Sequence, residues 1–307
     1  MTNPPLRTFS CDGSVALTDW GVIRAQGADA ASFLQGQLTN DVAGLDNARA
    51  CLAGYCSAKG RLLASFIVWR PAADEFLLAC HASVLAATLK RLSMFVLRAK
   101  CKLSDASAEL PLFGVAGETA AALIGDAAVW HHASVDDASL IRLPDAAGLP
   151  RAWTTRRAPA GPALTPGAWR WLEVQSGIPV VEAATSDRFV PQMINFELVG
   201  GVDFRKGCYP GQEVVARSQY RGTTKRRLFL FDAASAALPG QEIFHSADPG
   251  QPAGLVANAA ATSQGGSLLA EVKLAALANG SLHLGAADGP RLTQRELPYP
   301  LPQDGAA

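Results

Sequence analysis

Short apolar runs bounded by turn residues recur along the first hundred residues and predict strands. The predicted strands are 17–25, 50–56, 61–69, 75–80 and 95–103. Two other segments repeat apolar residues at helical spacing. One is 82–92; the other follows Asp29, a residue suited to capping a helix, and its apolar face comprises Ala30, Phe33, Leu34 and Leu38. Strands and helices mixed in this way predict an α+β fold.

The pattern changes twice further along the chain. Residues 113–117 and 118–124 predict a strand followed by a helix, and 169–176 predicts a short helix that ends at Gly177. After Lys225, five short apolar segments are separated by turn residues, a spacing typical of a small closed β-barrel. These segments are 227–232, 242–245, 254–259, 268–274 and 281–284. We therefore predict two domains, residues 1–224 and residues 225–307.

Charge and composition argue against several classes of protein, including non-specific nucleic-acid binders and membrane proteins. The chain has 307 residues, of which 49% are hydrophobic, so a large core is expected. Lys and Arg number 27, as do Asp and Glu, and a net charge of zero argues against non-specific binding to a phosphate backbone. No segment approaches the roughly 20 apolar residues that span a membrane. The first ten residues lack the apolar run of a signal peptide, so a cytoplasmic protein is expected.

The chain contains six cysteines. They are Cys11, Cys51, Cys56, Cys80, Cys101 and Cys208. None has the spacing of a zinc site, and a disulfide framework is not expected in a long cytosolic chain. The first five are interpreted as small buried apolar side chains.

Cys208 differs from the other cysteines because of the segment around it, DFRKGCYPGQEVVARSQYRGTT at 203–224. Pro210 suits the first turn of a helix, Glu213 adds negative charge near its amino end, and Gly222 ends it. Cys208 then lies just before the helix, beside Arg205 and Lys206. Helix amides and nearby cations favour a thiolate, so we expect a lowered pKa for this thiol.

The role of this segment remains open at the level of the residues alone. Gly207 is interpreted as permitting a close backbone approach. Cys208 is either a reactive thiol or a structural cysteine in a glycine-bearing turn. No histidine lies in the segment, so a hydrolase with a Cys–His pair is disfavoured.

The segment KGCY followed by GQE is similar to the signature of the YgfZ family, relatives of the glycine-cleavage aminomethyltransferase (GcvT) that include accessory factors for iron–sulfur cluster assembly. Further matches extend over nearly the whole chain. They are Trp20, 27–29, 35–42, 57–61, 177–179, 191–192, Asn195, 200–202, 220–222 and 225–226. The sequence departs from the family pattern at Pro210, where a small residue is usual. The resemblance implies a folate-binding α+β body and a C-terminal β-barrel arranged around a central opening.

The resemblance also implies a ligand and a set of site residues. Tetrahydrofolate or a derivative is the implied ligand, and Trp20 and Trp169 are implied to stack on its pterin ring. Cys208 is the implied nucleophilic or metal-ligating thiolate, with positive potential from Lys206. The other residues implied to shape the site or touch the pterin are Gly207, Tyr209, Gln212 and Glu213. No resident metal site is predicted.

The resemblance, taken together with these residues, implies three candidate functions. The first is an accessory factor in iron–sulfur cluster assembly or repair, which meets its iron–sulfur partners transiently because one thiolate cannot hold a cluster alone. Its effect on tRNA thiomethylation would then be indirect, through iron–sulfur enzymes.

The second function is a folate-dependent aminomethyl or one-carbon transferase. It is disfavoured because 63–66 (LASF) lacks the acidic pair of the resembled enzymes, although Asp41 or Glu197 could substitute. The third is direct tRNA binding, ranked last, through the basic cluster Arg217, Arg221, Lys225, Arg226 and Arg227.

Overall fold

The computed structural model describes residues 10–220, 224–263 and 265–302. These residues form three antiparallel sheets with helices packed against them. The helices are α1 Ala30–Gln35, α2 Ala82–Val96, α3 Gly117–Ile124, α4 Pro166–Gln175 and α5 Gln212–Tyr220, with 3₁₀ helices at Pro191–Ile194 and Leu274–Leu277. The strands are β1 Gly13–Ala16, β2 Trp20–Gln26, β3 Ala50–Cys56, β4 Leu62–Ala72, β5 Glu75–His81, β6 Lys102–Asp105, β7 Leu112–Ala116, β8 His132–Val135, β9 Ala138–Ala146, β10 Leu149–Thr155, β11 Arg226–Ala233, β12 Glu242–His245, β13 Asp248–Thr262, β14 Gly265–Lys273, β15 Leu282–Leu284 and β16 Leu292–Arg295.

The first sheet is buried on both faces. Its strand order is β3–β4–β5–β2–β6. Neighbouring residues of one strand point to opposite faces, so Leu77 joins the central core with Trp20, whereas Leu78 joins the core beneath α1 and α2. Because both faces are covered, these strands read in the sequence as nearly continuous apolar runs.

The second sheet, in the order β1–β7–β10–β9–β8, packs across the central core from the first sheet. Helix α4 lies in the same core and contributes Trp169, Trp171 and Leu172. The two sheets and α4 therefore enclose a set of large aromatic side chains. This arrangement confirms the predicted α+β fold.

The C-terminal strands form one curled sheet, a half-barrel, in the order β15–β12–β13–β14–β11–β16. At its two edges, β15 and the start of β16 meet through an isolated bridge between His283 and Arg291, the residue before β16, rather than along a full ladder. The barrel-like architecture was predicted, and the strand β16 was not. The domain boundary near residue 225 stays a prediction.

The strand predicted at 95–103 is wrong. Helix α2 continues to Val96, Leu97 ends it with a left-handed φ of 46°, and β6 begins only at Lys102. The apolar run that suggested a strand includes Phe95 and Leu97, which are exposed on the surface. An apolar run predicts a strand only when its side chains are buried in a sheet.

The predicted start of the helix after Cys208 is also wrong. Helix α5 begins at Gln212, because Gly211 adopts a left-handed φ of 79° that a helix cannot include. Pro210 therefore lies in the turn before the helix. The predicted end at Gly222 lies outside the described residues. At α1, Asp29 is at the N-cap position, but its carboxylate accepts a hydrogen bond from the Lys100 amide instead of capping the helix.

Candidate functional site

A tryptophan-lined cavity lies between the first sheet, the second sheet and α4. Its volume is about 40 Å³. Trp20 enters from β2, Trp153 from β10 and Trp169 from α4. The other lining residues are Leu52, Ser65, Phe66, Ile67, Trp130, Leu143, Pro144, Arg151, Glu173, Ser176, Ile178, Pro179 and Val180. Two of the lining residues, Trp20 and Trp169, were implied by the family resemblance.

The aromatic rings of this cavity are fixed by close contacts. Trp20 and Trp153 meet edge to face, with centroids 4.6 Å apart and planes at 75°. The Trp169 ring lies against the backbone of β7 at Gly114, where an added Cβ would be 2.6 Å from the indole. The Arg151 guanidinium lies 5.5 Å from the Trp169 ring centre, in cation–π range. The cavity wall is thus preformed from rigid, flat surfaces.

Glu173 places a carboxyl group among these rings. It lies one helical turn after Trp169 on α4, and its Oε1 accepts a hydrogen bond of 3.1 Å from Trp20 Nε1. Burial, and then the neighbouring Asp19, raise the pKa of this carboxyl to about 7, against the opposing effects of Arg151 and Arg170. Glu173 can therefore be present in either protonation state near neutral pH.

A second, smaller cavity of about 20 Å³ adjoins the first and shares Trp20, Glu173, Ile178 and Val180 with it. Its remaining walls are mainly polar: His81, Arg170, Val174, Glu182, Asn258 and Ala259. Arg170 pairs with Asp19 and lies 3.6 Å from Glu182. Glu182 also accepts a hydrogen bond of 3.1 Å from the Asn258 amide and lies 3.8 Å from His81 Nε2. The charged groups at this end of the cavity neutralise one another.

The sequence prediction missed Glu173, Trp153 and Arg151. A signal for Glu173 was present, because Trp169 and Glu173 are four residues apart on a predicted helix and must share a face. Trp153 and Arg151 carried no comparable signal. They reach the cavity only through the pairing of β10 with β7 and β9.

Cys208 is exposed on the loop that precedes α5. Its neighbour Lys206 is buried, and the Lys206 ammonium donates hydrogen bonds to the carbonyls of Gln35 and, at 2.6 Å, Leu38, just after α1. Burial lowers the pKa of Lys206 to about 8, although Asp41, Asp203 and Cys208 act in the opposite direction. Lys206 thus anchors the loop while remaining within electrostatic range of the thiol.

The other residues of the predicted site surround this loop. Tyr209 is buried, with the Lys206 ammonium 5.1 Å from its ring centre. Glu213 is exposed and pairs at 3.2 Å with Arg217, while Gln212 begins α5. An added Cβ at Gly207 would meet open space, so the close approach predicted there is wrong. Gly211 makes that approach instead: its Cβ would lie 2.4 Å from the carbonyl oxygen of Ser57.

The predicted residues therefore fall in two places. Trp20 and Trp169 line the tryptophan-lined cavity. None of the described residues between 200 and 220 lines that cavity or the smaller one beside it. The thiol faces solvent and the tryptophans face the interior.

The remaining cysteines lie in a different environment. Cys11, Cys56 and Cys80 are buried, as predicted, and Cys51 and Cys101 are partly buried. Burial raises the pKa of Cys51, Cys56 and Cys80 to about 12. These three thiols are protonated at neutral pH.

The predicted basic cluster near α5 is largely neutralised. Arg226 makes two contacts with Glu271, at 2.8 and 2.9 Å, and Arg227 pairs with Glu197. Arg217 pairs with Glu213, as described above. Arg221 lies outside the described residues.

The segment 63–66 lies on β4, and its residues Ser65 and Phe66 line the tryptophan-lined cavity. The Ser65 hydroxyl accepts a hydrogen bond of 2.9 Å from the Val181 amide. Asp41 is exposed, and Glu197 is occupied by Arg227. Among the described residues that line this cavity, Glu173 is the one with a carboxyl group.

The architecture defines the class of the protein. The structure resembles the glycine cleavage system aminomethyltransferase T from Bartonella henselae, with a TM-score of 0.70 over 94% of this chain and 85% of that one, at 15% identity. The GCVT N-terminal domain family matches residues 12–143. The protein therefore has the aminomethyltransferase fold.

Closer relatives identify the family. The chain is 36% identical over 242 residues to the tRNA-modifying protein YgfZ of Edwardsiella ictaluri (strain 93-146), covering 73% of this chain and 72% of the relative. It is 33% identical over 245 residues to the tRNA-modifying protein YgfZ of Klebsiella pneumoniae (strain 342), covering 73% of each. The chain belongs to the YgfZ family. Among its described residues, no helix is long and apolar enough to cross a membrane.

Proposed function

We propose that this protein binds a reduced folate in the tryptophan-lined cavity and acts as an accessory factor in iron–sulfur cluster assembly or repair. Through iron–sulfur enzymes it would support the modification of tRNA. The names of its YgfZ relatives support the link to tRNA modification. The aminomethyltransferase fold and the composition of the cavity support folate as the ligand.

The observation that carries the folate proposal is the carboxyl group of Glu173 among flat indole rings. A pterin is a flat heterocycle that gains from stacking on aromatic faces. Its ring also carries adjacent N–H donors, which a carboxylate accepts as a pair. Glu173 and the tryptophans thus match both features of the ring.

The size of the cavity sets a condition on binding. A volume of about 40 Å³ holds only a few water molecules. A pterin can enter only if lining side chains move apart. Trp130 is half-buried at the wall, and we propose that it moves when the ligand enters.

The accessory role is favoured over aminomethyl transfer by the chemistry of the wall. Transfer needs a general acid or base within hydrogen-bond reach of the reacting atoms. Ser65 stands on β4, where the resembled enzymes carry an acidic pair, and it already binds Val181. Glu173 is engaged by the Trp20 indole and is assigned to the pterin ring.

A fluorescence titration tests folate binding. Tetrahydrofolate should quench the tryptophan emission in a saturable way, and Glu173→Gln should weaken binding about tenfold, because it replaces a charged acceptor with a neutral one. Trp171→Phe is the matched control, since Trp171 lies buried on α4 outside the cavity. Unsaturable quenching, or equal loss in both variants, would refute the proposed site.

Cys208 is proposed as a transient ligand or exchange partner for iron in a cluster held by another protein. An exposed thiol can reach such a partner, and thiolates are preferred ligands of iron–sulfur clusters. Cells lacking the protein should regain an iron–sulfur enzyme activity under oxidative stress with wild type but not with Cys208→Ser. Cys101→Ser, at a partly buried cysteine, should rescue fully. Equal rescue by both variants would assign Cys208 a structural role.

A further inference from the structure

The surface around the end of α2 is rich in positive charge, although the Asp29 carboxylate also lies there and accepts a hydrogen bond of 2.7 Å from the Lys100 amide. Residues 76–104 contain no Asp or Glu, although the whole chain has equal numbers of acidic and basic residues. All five cations of this segment are exposed, and none forms an ion pair with a described residue. These residues, termed the α2 basic surface, are Lys90, Arg91, Arg98, Lys100 and Lys102. They contrast with Arg226 and Arg227, which are neutralised by buried carboxylates.

Three large apolar side chains are exposed within the same surface. Met94 is 58% exposed, Phe95 45% and Leu97 86%. The Arg91 guanidinium lies 6.0 Å from the centre of the Phe95 ring. An exposed aromatic ring beside a guanidinium provides a platform on which a base can stack.

A cavity of about 250 Å³ opens beside Arg91. It is lined by Tyr55, Leu63, Ser83, Val84, Ala87, Thr88, Arg91, Ala183 and Ser186. Thr88, Arg91 and Phe95 follow one another at helical spacing along one face of α2. The cavity and the stacking platform are therefore continuous, with Arg91 at their junction.

The polar groups of this cavity suit a hydrogen-bonding ligand. Four lining side chains carry a hydroxyl group: Tyr55, Ser83, Thr88 and Ser186. The Ser83 hydroxyl is already engaged by the Ala183 amide at 3.0 Å and by His81 at 2.7 Å. The Ser186 hydroxyl donates to the Leu63 carbonyl at 2.8 Å, so its oxygen remains available as an acceptor. Arg91 adds guanidinium donors at the mouth.

We propose that the α2 basic surface binds RNA in a single-stranded or loop region. The five cations contact phosphates, one base stacks on Phe95 and Arg91, and a neighbouring base enters the cavity. A discrete cavity lined with hydroxyls favours a nucleotide over a flat lipid surface. A second copy of this chain is disfavoured, because the same positive surfaces would face each other. This inference goes beyond the proposed function and uses neither the tryptophan-lined cavity nor Cys208.

Binding of fluorescently labelled bulk bacterial tRNA, measured by anisotropy between 50 and 200 mM salt, tests the proposal. Wild type should bind saturably, and Arg91→Ala/Arg98→Ala should weaken binding at least tenfold. Removing two phosphate contacts should also reduce the slope of log K against log salt by about 1.4 to 1.8. Phe95→Ser should weaken binding about fivefold or more without changing that slope, because stacking is not ionic.

The matched control is Arg188→Ala/Arg291→Ala, which removes two exposed arginines that form no ion pair with a described residue. It should bind tRNA within twofold of wild type. Equal weakening in both double variants, or no saturable binding by wild type, overturns the proposal. Binding to phosphatidylglycerol vesicles without binding to tRNA also overturns it and identifies a lipid surface. The folate titration is unaffected by either result, so the two proposals fail separately.

Discussion

The Glu173 carboxyl accepts a hydrogen bond from the Trp20 indole, and burial and the neighbouring Asp19 raise its pKa to about 7. An unperturbed glutamate has a pKa near 4.3. Between these two values the folded protein holds a proton that the unfolded chain has released. The stability contributed by this group is therefore fully present at low pH and is lost as the pH rises through about 7.

This linkage predicts the behaviour of Glu173→Gln. Glutamine resembles the protonated carboxyl and still accepts from Trp20, so the variant should match wild type at pH 4. At pH 8 it should be more stable by about 3–4 kcal/mol, because the pKa of Glu173 falls from about 7 to roughly 4.3 on unfolding, and its Tm should be correspondingly higher. Thermal unfolding followed by circular dichroism at both pH values measures the difference. A variant less stable than wild type at pH 8 would contradict the raised pKa.

Individual site residues were predictable only in part. Trp20 and Trp169 were selected through family resemblance, since six tryptophans look alike in composition. The raised pKa of Glu173 depends on Asp19, Arg151 and Arg170, which come from distant parts of the chain. Such an environment cannot be read from local sequence.

The loop that carries Cys208 depends on one of its two glycines. Gly211 has a left-handed φ and packs against the turn at Ser57 and Gly60, whereas Gly207 faces open space with an ordinary backbone conformation. The loop is held at its other end by the Lys206 ammonium. The thiol is thus presented on a short, doubly anchored segment.

Alanine substitutions at these glycines should therefore differ sharply. Gly211→Ala must accommodate both the strained φ and the Ser57 carbonyl, and we expect a loss of about 1–3 kcal/mol in unfolding free energy. Gly207→Ala meets no atom and should be neutral within about 0.5 kcal/mol. Urea denaturation of both variants gives the comparison. Equal stability would show that the loop does not need the conformation of Gly211.

Helices and strands were predictable where burial and periodicity agree. The helix after Asp29 buries Ala30, Phe33 and Leu34 of its predicted face, whereas Leu38, also buried, lies beyond the end of the helix at Gln35. The prediction failed at 95–103 because exposed apolar residues imitate a buried strand, and at Pro210 because Gly211 interrupts the helical backbone. Both failures lie on the surface segments to which we assign binding roles.

At the scale of the whole molecule, the half-barrel is tied to the rest of the chain by buried and partly buried hydrogen bonds. The Asn258 side chain on β13 donates to the Val180 carbonyl and accepts from the Val180 amide, each at 2.9 Å. Gln175 on α4 donates to Ser267 at 2.8 Å. Val180 lines the tryptophan-lined cavity, so the half-barrel supports one wall of the site.

Asn258→Ala tests this connection. The substitution leaves an amide and a carbonyl of Val180 without this partner in a half-buried position, which should cost about 1–2 kcal/mol. Asn279→Ala, at an exposed asparagine, should stay within about 0.5 kcal/mol of wild type. Unfolding in urea provides the two midpoints. Coincident midpoints for the two variants would mean that the contact contributes little.

The general architecture was predictable because the family resemblance extends over nearly the whole chain. The separation of Cys208 from the tryptophans was not, since it depends on how the loop at 203–211 packs against α1 and the Ser57–Gly60 turn. Residues close in a motif need not share a cavity.

The outward position of Cys208 determines the kinetic order of any reaction at its sulfur. A thiol enclosed with its substrate reacts in a first-order step once the substrate is bound. A thiol that faces solvent meets its counterpart by collision, so its rate rises in proportion to the concentration of that counterpart until a docked complex saturates. The rate at which Cys208 reacts then depends on the concentration of the molecule that collides with it, and not on whether a ligand fills the tryptophan-lined cavity.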